Sequence, residues 1–367
     1  MRHLSVVAAT AVALLATTVS PAQASEVGDV QRAMVELATM PNVVGALGGA
    51  YVDGRPVGLG SAGSRLLGGK GGVIPTDARF RIGSQTKTMV ATVVLQLVEE
   101  HRLSLDGRLA DLLPETTGVV ARADDITVQQ LIQHTSGIPD WFYRAGTEVP
   151  LFDVFDFTTR YRPIDVVKLT TGLPRTGEPG EKFTYSNTGY TLLGMIIEKV
   201  TGHALSTELD RRLFRPLGMT RTYHVTAPPE GIDGPHGHGY YPDATGTLRD
   251  VDRFNASWGN GAGGVVSTTK DMAAFQRAFW QNKLLPPALQ VIITKGPTPG
   301  AARAADQCGD DIKMFGGSAP GYTVLTFGTT DGRKQFILSV THSAPTDDAV
   351  ITAMFKAGQS VLCPAGS

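Results

Sequence analysis

Apolar positions along this chain recur with two different periods. Residues 43–60 are glycine-rich and extended, and the stretch GGAYVDGRPVGLGSAG reads as a strand, an Asp-Gly turn and a second strand. From Ser84 onward Val90, Val93, Val94, Leu97 and Val98 return at helical spacing until His101 and Arg102, which predicts a helix with one buried stripe. Helical spacing recurs over 126–134 and through Leu193, Ile196, Ile197 and Val200 before Gly202, with loops such as HTSGIP and PRTGEPG between. Near the end, YTVLTFG, TTDG and RKQFILSVT predict a second hairpin, and 347–361 a closing helix. Strands at both ends around a helical middle predict an α/β domain, 25–105 with 256–367, interrupted by a mostly helical insertion over 106–255.

Composition narrows the partners. The 367 residues are 42% hydrophobic and 18% charged, with a formal net charge of −1 and no long basic block. That balance supplies no electrostatic drive toward nucleic acid or an anionic membrane, so a small molecule or peptide is the expected partner. Arg2 and His3 precede the apolar run LSVVAATAVALLATTV and the small-residue site AQA, which predicts a secretory signal over residues 1–24 and an exported protein with no membrane span. In an oxidising compartment the two cysteines, Cys308 and Cys363, most simply form one disulfide; two buried thiols are the other arrangement. No sustained apolar surface pattern points to an oligomer, so a monomer is expected.

Three short segments carry chemistry. SQTK places Ser84 and Lys87 one turn apart at the start of the apolar helix. A Ser three residues before a Lys is a weak signal by itself. Ser267 and Lys270 in STTKDM repeat the spacing, and there Thr268 and Asp271 account for it as helix capping. Lys87 differs because it leads into a buried stripe: desolvation lowers a lysine pKa, and a neutral amine beside a hydroxyl can take its proton. TYSNTGY sets Tyr185, Ser186 and Asn187 in a polar knot before the next strong helix. MFGGSAPGYTV sets Gly316 and Gly317 immediately before a strand, which exposes amide donors to a closely approaching substrate.

Taken together, SQTK, YSN and FGG resemble the three motifs of the penicillin-recognising serine enzymes: D-alanyl-D-alanine carboxypeptidases, class C β-lactamases and related esterases. FRIGS, LIQHTSGI, FTYSNTGYTLLGMIIEKVTG, LFRPLGMT and GGVVSTTKDM also look like that family, and the likeness runs from about residue 43 to 363. It is strongest to the soluble secreted carboxypeptidases, which also carry cysteines near the third motif and the C-terminus. The resemblance implies an antiparallel sheet flanked by helices, with an inserted helical domain and the active site between them. It implies Ser84 as nucleophile, Lys87 and Tyr185 as proton carriers, the backbone N–H groups of Ser84 and Ser318 as oxyanion hole, and Asn187 as ligand of the substrate amide. Peptidoglycan stem peptides ending in D-Ala-D-Ala would be substrates, β-lactams acylating ligands, and no metal or cofactor would be needed.

Phe315 departs from the pattern, because the family usually has Lys or His there to engage the substrate carboxylate. Lys313, two residues earlier, and Arg303 are candidate substitutes. Three readings therefore stand: a D-Ala-D-Ala carboxypeptidase, an esterase or amidase with an altered substrate, and a non-catalytic binding protein. Trp258 either lines the cleft or packs beneath the glycine loop NASWGNGAGG. His134 is read as a helix-ending residue that bonds locally, and His236 and His238 in PHGHGYYPD as ordinary loop residues, since no third metal ligand lies at a recognisable spacing.

Overall fold

The computed structural model describes residues 26–142, 152–225, 227–228, 231–295, 311–345 and 347–363. Both predicted hairpins form. Strand β1 (Val43–Val52) turns through Asp53 and Gly54, both at positive φ, into β2 (Arg55–Gly63), which is the conformation that an Asp-Gly turn between twisted strands requires. Strands β9 (Tyr322–Thr329) and β10 (Lys334–His342) form the second hairpin, and β8 (Ile312–Ala319) pairs with β9. The result is an antiparallel sheet ordered β2-β1-β10-β9-β8, with β8 on its edge.

Helices cover both faces of this sheet, so its central strands are buried almost continuously rather than alternately. Alternation survives in where each side chain goes. Ala46 and Ala50 of β1 and Phe336, Leu338 and Val340 of β10 pack with helix α1 (Val30–Ala38) and helix α11 (Asp348–Leu362). Leu47, Tyr51, Val324 and Ile337 face the other way, into the larger core. That core is built around α2 (Thr86–Glu99), α6 (Asn187–Thr201) and α9 (Thr269–Trp280).

Helix α2 is buried nearly all round, not along one stripe as its sequence predicts. Elements pack on it from several sides, α6 and the short helix α8 (Asn260–Gly263) among them, so even Thr86, Lys87 and Thr92 are enclosed. Helix α6 is apolar over the same length, with Thr188 through Ile197 buried. The remaining helices are α3 (Leu109–Leu112), α4 (Val128–Ile132), α5 (Pro163–Lys168), α7 (Leu205–Leu209) and α10 (Pro287–Thr294). Helix α4 is shorter than 126–134 predicts: Thr127 and Gln130 close a capping box at its start, and His134 has φ +57° beyond its end. Residues β3 (Phe80–Arg81), β4 (Tyr223–His224) and β7 (Val265–Ser267) make a small second sheet, and β5 (Tyr240–Pro242) pairs with β6 (Leu248–Asp250). No helix among the described residues is long and apolar enough to cross a membrane.

Candidate active site

Ser84 sits in a 3₁₀ turn, 83–85, that leads directly into α2. Residues three apart eclipse one another in that geometry, so Ser84 and Lys87 share one side and Lys87 Nζ lies 3.1 Å from Ser84 Oγ. Ser84 caps no helix, because its hydroxyl is engaged by Lys87 and by Tyr185, whose phenol lies 2.7 Å away. The second Ser-Lys spacing behaves as its sequence predicts: Thr268 caps α9 by accepting the Asp271 N–H, and Lys270 is exposed.

The YSN segment is placed by helix capping. Ser186 caps α6 by accepting the Gly189 N–H, and this sets Tyr185 and Asn187 on either side of the helix entrance. Tyr185 points its phenol to Ser84, and Asn187 Oδ1 accepts from Lys87 Nζ at 2.8 Å. Lys87 also donates to the Ala262 carbonyl at 2.6 Å. Both of these partners can only accept, so a neutral Lys87 directs its two N–H groups at them. Its lone pair is left facing Ser84 Oγ, as a base requires. Burial drives that state: desolvation lowers the Lys87 pKa to about 7, against the opposing attraction of Asp140.

Two further residues, which the sequence reading did not single out as site members, complete the cluster. Asp140 accepts from Asn187 Nδ2 at 3.2 and 2.9 Å through its two oxygens, and burial raises its own pKa. His134 stacks on Tyr185, ring centroids 4.6 Å apart at 24°, and accepts the Ser186 N–H at 3.1 Å through Nδ1. Its backbone N–H bonds locally to the Leu131 carbonyl at 3.4 Å, as a helix-ending residue does, while its ring makes the long-range contacts. Burial, followed by the Lys87 charge, lowers the His134 pKa to about 3, so it stays a neutral support and no base. The HTSG turn marks His134 only as a residue ending a helix, and nothing in the sequence spacing links Asp140 to Asn187.

The third segment meets the first at backbone level. Gly316 and Gly317 lie inside β8 rather than ahead of a strand. A Cβ on Gly317 would come 2.1 Å from the Ile82 carbonyl and 3.0 Å from the Ser84 nitrogen, and one on Gly83, at φ +50°, 2.7 Å from the Ser318 nitrogen. The absence of a side chain at Gly317 therefore lets the edge strand press its backbone against the Ser84 turn. Gln85 fixes the contact by donating to the Phe315 carbonyl at 3.2 Å.

Ser84, Lys87, Tyr185, Phe315, Gly316, Gly317 and Ser318 line one cleft of about 550 Å³. Its apolar wall includes Phe183, Ile292, Ile293 and Phe355, and apart from Lys87, the base itself, no Lys or Arg among the described residues lines it. The Phe315 ring stacks on Trp280 at 5.8 Å and meets Phe279 edge-on at 6.0 Å, so it extends the core into the cleft wall. Lys313 shares that strand face but does not line the cleft.

One expected substrate contact is corrected. Trp258 is buried against Tyr161, Phe152 and Trp141, centroids 4.0, 4.5 and 6.1 Å away, and is a core residue because this aromatic cluster closes it off from the cleft. Asn187 has its amide oxygen on Lys87 and its nitrogen on Asp140, and so orients the base. Arg303 and Cys308 lie outside the described residues. Cys363 ends α11 and packs against the core beneath the sheet.

Comparison with known proteins agrees with this geometry. The family model described as Beta-lactamase matches residues 30–328. Penicillin-binding protein 4* of Bacillus subtilis (strain 168) is 28% identical over 315 residues, 79% of this chain and 66% of that one. Esterase EstB of Burkholderia gladioli is 31% identical over 192 residues, 51% of this chain and 48% of that one. The chain thus spans about half to two thirds of the length of these curated relatives. A D-stereospecific amidohydrolase from Streptomyces sp. superimposes with a TM-score of 0.73 at 27% identity, covering 91% of this chain and 98% of that one. With a matching model over most of its length and the three motifs meeting at one cleft, this chain belongs to the Beta-lactamase family of penicillin-recognising serine hydrolases.

Proposed function

We propose that the protein is an acyl-serine hydrolase that cleaves amide or ester bonds of small peptide-like substrates whose leaving end is uncharged. The observation that carries this reading is Ser84 Oγ held between Lys87 Nζ at 3.1 Å and the Tyr185 phenol at 2.7 Å, in a cleft whose described wall offers no cation for a terminal carboxylate. Neutral Lys87 takes the Ser84 proton as Oγ attacks the substrate carbonyl. The Ser84 and Ser318 N–H groups hold the developing oxyanion, each contributing about 3 kcal/mol. Tyr185 relays the Ser84 proton from Lys87 to the departing nitrogen or oxygen, which leaves both residues neutral, and water then releases the acyl group by the reverse sequence. The chemistry draws on side chains and backbone alone. Likeness to a D-stereospecific amidohydrolase and to an esterase supports the substrate class.

A second reading, D-alanyl-D-alanine carboxypeptidase, is favoured by the 28% identity to penicillin-binding protein 4*. Intact-mass measurement after exposure to a penicillin tests the shared mechanism: one covalent adduct is expected on the wild type and none on Ser84→Ala, and an adduct surviving in that variant removes Ser84 from its role. Parallel assays with a D-amino acid amide and a D-Ala-D-Ala peptide separate the readings. Preferential release of D-alanine from the peptide would overturn the first. We further propose export through cleavage after residue 24, a monomer, and a Cys308–Cys363 disulfide. Mature-chain mass under non-reducing and reducing conditions checks the cleavage and the bond, and light scattering the monomer.

A further inference from the structure

His236 and His238, read from sequence as loop residues for want of a third ligand, gain one in the fold. One donor atom from each of His236, His238 and Asp252 lies within 4.8 Å of the others. We propose that these three side chains form a binding site for a divalent cation of the zinc class, separate from the catalytic cleft.

The donor geometry carries the argument. His236 Nδ1 lies 2.6 Å from the Gly234 carbonyl, which can only accept, so Nδ1 holds the ring proton. A neutral ring then has a bare Nε2, and that atom lies 2.6 Å from Asp252 Oδ1. Two lone-pair atoms face each other at that distance only with a cation between them, either a second proton or a metal ion. Arg81 does not serve, because its guanidinium bonds to the Asp252 backbone carbonyl at 2.5 Å and not to the carboxylate.

The outer contacts match a metal centre as well. Ligating histidines typically donate their other ring N–H to a carbonyl or carboxylate, which fixes the tautomer. His236 has Gly234 in that place, and His238 has Asp250, with Nδ1 2.7 Å from Oδ2. Asp250 also accepts the Asp252 N–H at 2.8 Å and so holds two of the three ligands in register. Two imidazoles and a carboxylate suit zinc better than calcium or magnesium, which prefer oxygen donors throughout. Tetrahedral zinc would place its donors about 3.3 Å apart, so the His236–Asp252 pair would open by about 0.7 Å and the His238 donor, within 4.8 Å of the others, would move inward, both by side-chain rotation. The His238 and Asp252 side chains are 20% and 19% exposed, which leaves room for a water as fourth ligand.

None of the three residues lines the cleft. The ion would instead clamp the 234–239 loop to the end of β6. Gly239 of that loop packs against the Gly321 turn joining β8 to β9. The expected role is structural.

Full-length protein stripped with a chelator and titrated with zinc alone should bind one ion per chain, with a Tm rise of roughly 5 °C at saturating zinc. His238→Gln, at the more exposed ligand, should weaken binding about 10- to 100-fold while keeping the wild-type Tm in chelator; Asp252→Asn should do the same. Penicillin acylation at Ser84 should be unchanged by chelation below the Tm, so this result and the catalytic reading fail independently. Absence of zinc binding, a Tm that ignores zinc, or equal binding by wild type and both variants would overturn the site and leave an imidazolium–carboxylate pair in its place.

Discussion

Asp140 decides which end of Asn187 faces the base. Its carboxylate takes the Asn187 Nδ2 at 3.2 and 2.9 Å, which turns Oδ1 to Lys87 at 2.8 Å. With an acceptor fixed there and a second at the Ala262 carbonyl, the Lys87 lone pair is directed at Ser84.

Asp140→Asn should therefore slow acylation about 10- to 100-fold, a loss typical of a residue that orients a catalytic group. It should also move the pH profile. Asp140 raises the Lys87 pKa by charge attraction, so its neutralisation should shift the rising limb of kcat/KM to lower pH. Stopped-flow acylation with a chromogenic β-lactam across pH 5 to 9 reads both quantities. An unmoved midpoint would show that Asp140 does not act through the base.

Burial pushes the Lys87 pKa down to about 7, so acylation by the wild type should rise with pH through about 7 as the amine loses its proton. Stability carries the same signature. The unfolded chain binds this proton more tightly than the folded one, so the folded state gains stability as pH climbs from about 7 to the ordinary lysine value of 10.5. Lys87→Met should abolish acylation and flatten this part of the stability curve in urea melts. A variant with the same slope as wild type would place the titration elsewhere.

Gly317→Ala should cost about 10²- to 10³-fold in kcat, because the added methyl would lie 2.1 Å from the Ile82 carbonyl and force the strand off the Ser84 turn. Gly316→Ala is the matched control. Its methyl meets only Leu325 Cδ2 at 3.3 Å, so the effect should stay within about threefold. Equal losses in the two variants would mean that the close approach at Gly317 does not set the oxyanion geometry.

Phe315→His keeps a flat ring beside Trp280 and Phe279 while placing a hydrogen-bonding group on the cleft wall. Release of D-alanine from a D-Ala-D-Ala peptide should rise about tenfold or more, the scale of a proton-transfer or carboxylate-binding partner. An unchanged or lower rate in a turnover assay would show that the wall is adapted to the phenyl ring.

The sequence by itself determined the local events: the Asp-Gly hairpin, the polar knot of Tyr185, Ser186 and Asn187 just before a strong helix, and the i,i+3 spacing of Ser84 and Lys87. Each depends on a few neighbouring residues, and short-range sterics and hydrogen bonds suffice to encode it. The three-motif set likewise made the family legible. Only the tertiary structure decided that α2 is buried all round, because the helices closing over it come from distant segments. That enclosure is what brings Lys87 toward a neutral amine. The same holds for Asp140 behind Asn187, His134 against Tyr185, Trp258 in the aromatic core and Asp252 beside His236. Those pairings lie 16 to over 100 residues apart in the chain or depend on three-way packing, and chain spacing carries no record of contacts made by loops that meet only when the core closes.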